Sequence, residues 1–136
     1  MNEPKQKSEY MLFFRGKHWD KDLSPEELQQ VMGKVMAWME GLQKQGKVKG
    51  GQPLGPEGRF VSGKNGRTVA DGPFAESKEA VGGYLVLQAE TMDEVVAIVK
   101  TNPTLEYGIT IEIRPVLEEC PVFQRAQKQL LSVATA

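Results

Sequence analysis

Two carboxylates and a phenyl ring lie close together in DGPFAESKEAVGGY, residues 71–84: Asp71, Phe74 and Glu76. A carboxylate in an Asp-Gly-Pro turn can accept N–H bonds from its own loop and so build the turn. The same loop can instead deliver Asp71 or Glu76 to a cleft as a general base or a ligand. Phe74 is either an anchor pinning the loop or a face on which a ligand stacks. A second constellation is Glu112 and Arg114 in YGITIEIRPV, with Arg15 able to join them if the first strand has the matching phase. These charges pair with one another, or they hold an anion through the planar fork of Arg114. His18, the only histidine, lies in KHWD beside Asp20 and Asp22, as a solvated imidazole or a ligand contact.

Several chemistries are excluded. One His and a distant Cys cannot supply the nitrogen and sulfur set that zinc takes. No calcium-loop signature and no phosphate-cradling glycine spacing occurs. Neither a metal nor a cofactor is therefore expected. Cys120 precedes Pro121 without a histidine near it in sequence, which leaves no activated nucleophile.

The elements that must position these groups follow from periodicity. EYMLFFR, residues 9–15, is an apolar run that reads as a buried strand. SPEE opens a helix: Ser24 caps, Pro25 fits the first position, and Glu27 completes a capping box. Leu28, Val31, Met32, Val35, Met39 and Leu42 form its apolar face, Trp38 widens it, and Gly46 offers a left-handed stop. A short strand is predicted around Lys47 to Lys49. RFVSGKNGRTVA then reads as a hairpin turning at Asn65-Gly66. GYLVLQA, residues 83–89, suits a central strand, and Gly82-Gly83 permits close backbone approach or a bulge at its start. Thr91 and Glu94 predict a second capping box, with Met92, Val95, Val96 and Val99 as the matching stripe and TNP as the stop. In the last strand Ile109, Ile111 and Ile113 face one way, and Thr110, Glu112 and Arg114 the other. Phe123, Ala126 and Leu130 predict a short terminal helix.

The order strand, helix, strand, inserted hairpin, strand, helix, strand is the plan of an α+β, ferredoxin-like βαββαβ fold. One domain over residues 9–117 and a helical tail over 118–136 are expected. Both helices cover one sheet face. The reverse face is partly apolar and needs a cover of its own, for which a second copy in a homodimer is the simplest candidate. The 136 residues carry 17 basic against 18 acidic side chains, which argues against a nucleic-acid surface. The N-terminus lacks an apolar leader, and no run approaches the length of a membrane span, so a cytoplasmic protein is expected.

DGPFAESKE, followed by GGYLVLQAETMDEVVAIVKTNP and YGITIEIRPV, resembles the DGPF or YCII-related family of small bacterial proteins. YMLFFRG and SPEELQQVMGKVMAWMEGLQKQGKV resemble that family's usual start. The resemblance implies a dimeric α/β barrel made of two ferredoxin-like sheets face to face, with a molecular function that is mostly unassigned. Better-studied relatives have been proposed to use a His–Asp pair. The position matching their histidine, on the first helix, is here close to Val35. The position matching their aspartate, before a proline after the second helix, is Asn102. A His–Asp acid/base mechanism therefore does not carry over.

Two functions follow as expectations. One is a small-molecule-binding, accessory or regulatory protein with a cleft at the subunit interface and no catalysis of its own. The other is a cofactor-independent enzyme acting on a small, possibly anionic substrate, with Asp71 as acid/base and Arg114 as anion holder. A structural module for a larger partner is the third alternative.

Overall fold

Ser24 fixes where the first helix begins. Its hydroxyl accepts the Glu27 N–H at 3.1 Å, while the Glu27 carboxylate accepts the Ser24 N–H at 3.3 Å, and Pro25 occupies the first helical position. The helix ends with equal definition. Gly46, at φ 71°, lets its own N–H reach the Gln43 carbonyl and the Lys47 N–H reach that of Leu42, each at 3.0 Å. That pair of bonds satisfies carbonyls the last turn would otherwise leave open.

The computed structural model describes residues 7–16, 18–72 and 80–134. In chain order the elements are β1 (Ser8–Arg15), α1 (Pro25–Lys44), β2 (Val48–Pro53), β3 (Arg59–Ser62), β4 (Thr68–Asp71), β5 (Val81–Ala89), α2 (Met92–Val99), β6 (Thr110–Pro115) and α3 (Pro121–Ala134). Four strands form an antiparallel sheet in the order β2-β5-β1-β6, and β3 pairs with β4 in a separate two-stranded sheet. With α1 after the first strand of the main sheet and α2 after the third, this is the expected ferredoxin-like arrangement, and the hairpin is the insertion.

Strand alternation divides the main sheet into two faces. Tyr10, Leu12, Leu85, Leu87 and Ala89 are buried on one of them, joined by Leu42 from α1 and by Val95 and Val99 from α2. Leu12, Leu87 and Val95 are fully enclosed. On the other face Met11 lies opposite Val86 and Phe13 opposite Tyr84, all of them half-buried.

Two elements differ from their sequence expectation. β2 extends to Pro53 rather than stopping near Lys49, because Gly50 to Pro53 pair with β5. At α2 the Thr91 hydroxyl accepts the Glu94 N–H at 3.1 Å, but the Glu94 carboxylate reaches back to the Glu90 N–H at 3.0 Å instead of that of Thr91. That bond, with Lys47 at 3.5 Å adding to it, holds the Glu94 carboxyl below its ordinary value. α3 forms as expected, with Phe123, Leu130 and Leu131 well exposed. No helix among the described residues is long and apolar enough to cross a membrane.

Candidate functional site

Asn102 is the one buried polar side chain in the core of the described residues, at 5 % exposure. It follows α2 and caps the 3-10 turn Pro103–Tyr107: its Oδ1 accepts the Thr104 N–H at 2.8 Å and also the Thr104 hydroxyl. Its backbone is spent as well, since its N–H donates to the Val99 carbonyl at 2.9 Å and its carbonyl accepts the Leu105 N–H at 3.3 Å.

Asn102 and Thr104 line a cavity of about 460 Å³ between α1, the loop after β1 and the adjoining ends of β2 and β5. Such a volume falls within the range of about 300–1,000 Å³ usual for small-molecule sites. α1 contributes Met32, Val35, Trp38 and Met39; Phe14, Trp19 and Ile109 close other sides. At Gly51 and Gly83 the wall is backbone without side chain. A Cβ on Gly51 would stand 2.7 Å from the Tyr84 carbonyl oxygen, and one on Gly83 would stand 3.2 Å from that of Gln52. Close strand packing thus leaves no room for a side chain at Gly51 and little at Gly83. Trp38 is oriented by a bond from its indole Nε1 to Thr101 Oγ1 at 2.8 Å, and Thr101 donates in turn to the Ile98 carbonyl at 2.6 Å. The Trp19 ring leans on Tyr107 at 5.9 Å between centroids. No Asp, Glu, Lys, Arg or His among the described residues lines this cavity.

A second constellation occupies the opposite sheet face. Glu112 accepts from Arg15 Nε at 2.9 Å through one oxygen and from Arg114 Nε at 2.8 Å through the other. β1 therefore has the phase that brings Arg15 to Glu112, on the face opposite the isoleucines. The hydrogen bonds from Arg114 and Arg15 hold the Glu112 carboxyl below its ordinary value. Arg15 also lies 6.0 Å from the centroid of the Phe13 ring.

The remaining sequence candidates are dispersed. Asp71 ends β4 on the inserted hairpin, 80 % exposed, with Arg59 Nε at 3.2 Å across the pair. It does not border the cavity. His18 is exposed, at φ 46°, in the loop after β1. Phe74 and Glu76 lie outside the described residues. Cys120 is free and exposed just before α3. Among the described residues no group of three or more His, Cys, Asp or Glu side chains is placed to hold a metal ion.

Val35 and Asn102 are the positions that the resemblance matches to the relatives' proposed His–Asp pair, and sequence alone does not place them in space. The structure brings both to one cavity. Trp38, on the same helical face as Val35, joins them, and so do Trp19 and Thr104, to which the sequence assigns no role. The Asn-Pro-Thr order, with a side chain that caps the following turn, was the available signal for Thr104.

Comparison with known proteins adds a family. A model described as the YCII-related domain matches residues 9–119. No curated protein matches the chain. Among solved structures, the hydroxynitrile lyase from Passiflora edulis is similar at 16 % identity over 87 % of this chain and 100 % of that chain, with a TM-score of 0.36.

Proposed function

Because the chain belongs to the YCII-related domain family, we propose that it is a small-molecule-binding protein, accessory or regulatory in role, that works as a homodimer without catalysis of its own. One observation carries the reading. The cavity that Val35 and Asn102 share has the size of a ligand site, yet no carboxylate, imidazole, amine or guanidinium among the described residues faces it. Proton transfer needs a titratable partner within hydrogen-bond reach of the substrate. A cavity supplied with amides, a hydroxyl and aromatic walls can bind and orient, and among the described residues no carboxylate, imidazole or amine is there to exchange a proton with what it holds.

The dimer rests on the Met11, Phe13, Tyr84 and Val86 face, which α1 and α2 leave open on the far side of the sheet. Two such faces pressed together give an α/β barrel, with the Arg15–Glu112–Arg114 clusters at the seam and subunit cleft. Asp71 as acid/base of an enzyme finds no support in its position, since it is exposed and already paired with Arg59.

The test is a thermal-shift screen with small neutral and anionic compounds on the parent chain, Asp71→Ala, Arg114→Ala and Val35→Trp. Ligand binding to the folded state raises the midpoint by mass action. Responses kept in Asp71→Ala and Arg114→Ala but lost when Val35→Trp fills the cavity are expected. Responses lost in Asp71→Ala or Arg114→Ala and kept in Val35→Trp would overturn the assignment.

A further inference from the structure

The amide of Asn102 has a fixed orientation. The Thr104 backbone N–H can only donate, so the atom it meets at 2.8 Å must be the carbonyl oxygen of the side chain. The Thr104 hydroxyl adds to the same oxygen. The amide nitrogen is therefore turned the other way, and it has no partner among the described residues. No side-chain nitrogen or oxygen among them is both sealed from solvent and unpaired. An unpaired Nδ2 is therefore not sealed from solvent, and Asn102 itself lines the cavity. A donor on a residue only 5 % exposed, held by a rigid cap, gains from an acceptor brought to it, since an unpaired polar group costs free energy once water leaves.

The rest of the cavity restricts what can bring that acceptor. An anion or cation entering would shed its hydration with no opposite charge among the described residues to meet it, because none of their charged side chains lines the wall. Trp19, Trp38 and Phe14 offer ring surfaces, and Met32 and Met39 adjust to irregular shapes. Trp38 already spends its N–H on Thr101, so it presents an apolar surface without a competing donor.

We infer that this cavity takes an uncharged, ring-bearing molecule whose hydrogen-bond acceptor, a carbonyl or an equivalent oxygen, receives Asn102 Nδ2–H. The inference rests on the binding function proposed above and names its ligand class. The anionic ligand expected from the sequence concerns the arginines on the opposite sheet face, not this cavity.

Three probes of similar shape test it: acetophenone, neutral with an acceptor; ethylbenzene, neutral without one; and benzoate, anionic. Titrations of the full chain are followed by ¹H–¹⁵N spectra, with the Asn102 side-chain amide as reporter. One added hydrogen bond to a waiting donor makes acetophenone bind roughly three- to tenfold tighter than ethylbenzene. Acetophenone also shifts the Asn102 amide signal, and benzoate binds weakest. Asn102→Asp keeps the oxygen that Thr104 uses and removes the amide donor, so acetophenone loses its advantage over ethylbenzene. The comparison within the parent chain stands even if that variant does not fold. Equal affinities for acetophenone and ethylbenzene, or preference for benzoate, overturn the ligand class and leave a binding protein. Absence of binding by all three, together with a flat thermal-shift screen, overturns both.

Discussion

Trp38 and Thr101, 63 residues apart, meet through one hydrogen bond, the indole Nε1 donating to Oγ1 at 2.8 Å. It ties the middle of α1 to the chain just after α2 and holds one wall of the cavity. Trp38→Phe keeps a ring there and deletes the donor. Thr101 still donates to the Ile98 carbonyl, so no polar group is stranded. The expected loss is about 0.5–1.5 kcal/mol, read as a lower urea midpoint at unchanged slope. An unchanged midpoint would show that the bond adds nothing to stability.

Glycines at different places in the fold should respond with opposite sign. Gly51→Ala pushes a methyl to 2.7 Å from the Tyr84 carbonyl oxygen and 3.1 Å from Leu85 Cα, with backbone on the other side that cannot swing away. A loss of about 1–3 kcal/mol is expected. Gly33, inside α1, has nothing within 4 Å of an added Cβ. Gly33→Ala should gain about 0.5–1 kcal/mol from the reduced entropy of the unfolded chain. Thermal or urea unfolding of the two variants beside the parent checks both signs.

Glu112 gives the open face a pH dependence. Hydrogen bonds from Arg114 and then Arg15 lower its folded-state pKa below the ordinary 4.5. Its contribution is therefore present above the unfolded value and is lost as pH falls through the lower folded one. The midpoint difference between the parent and Glu112→Gln should be largest near neutrality and shrink in acid. A difference that stays constant from pH 7 to strongly acidic solution contradicts the ion-pair account.

Phe13 and Val86 lie on the face assigned to the subunit interface. A carboxylate placed there would have to lose its hydration against the apolar twin face proposed above. Phe13→Glu and Val86→Glu are expected to sediment as folded monomers at concentrations where the parent is a dimer. A parent chain that sediments as a stable monomer removes the barrel.

The fold was legible because its signals are local. Ser24 with Glu27, Gly46, and Thr91 each act within a turn of their own helix, and isoleucines in alternation mark β6 with no help from elsewhere. β2 was underestimated because Gly50 and Gly51 have weak strand preference and are recruited by the neighbouring strand. The site was hidden for a different reason. Its walls come from the middle of α1, the end of β1, the start of β5 and the turn after α2, and no spacing in sequence encodes their meeting. The Asp-Gly-Pro-Phe motif makes Asp71 a distinctive candidate in sequence. The Asn65-Gly66 signal announces the hairpin, but that Asp71 ends its second strand beside Arg59 depends on a register that the turn alone does not fix.

The exposure of α3 has a consequence for how the chain's end behaves. A stretch of 14 residues is at the lower limit for an isolated helix to hold its shape in water. With Val122, Phe123, Leu130, Leu131 and Val133 each at least 61 % exposed, it draws little support from the body of its own subunit. Its amides should exchange with solvent far faster than those of α1 while the chain is alone. Slowed exchange confined to residues 121–134 would then report an encounter with another surface, before any change is visible in the sheet.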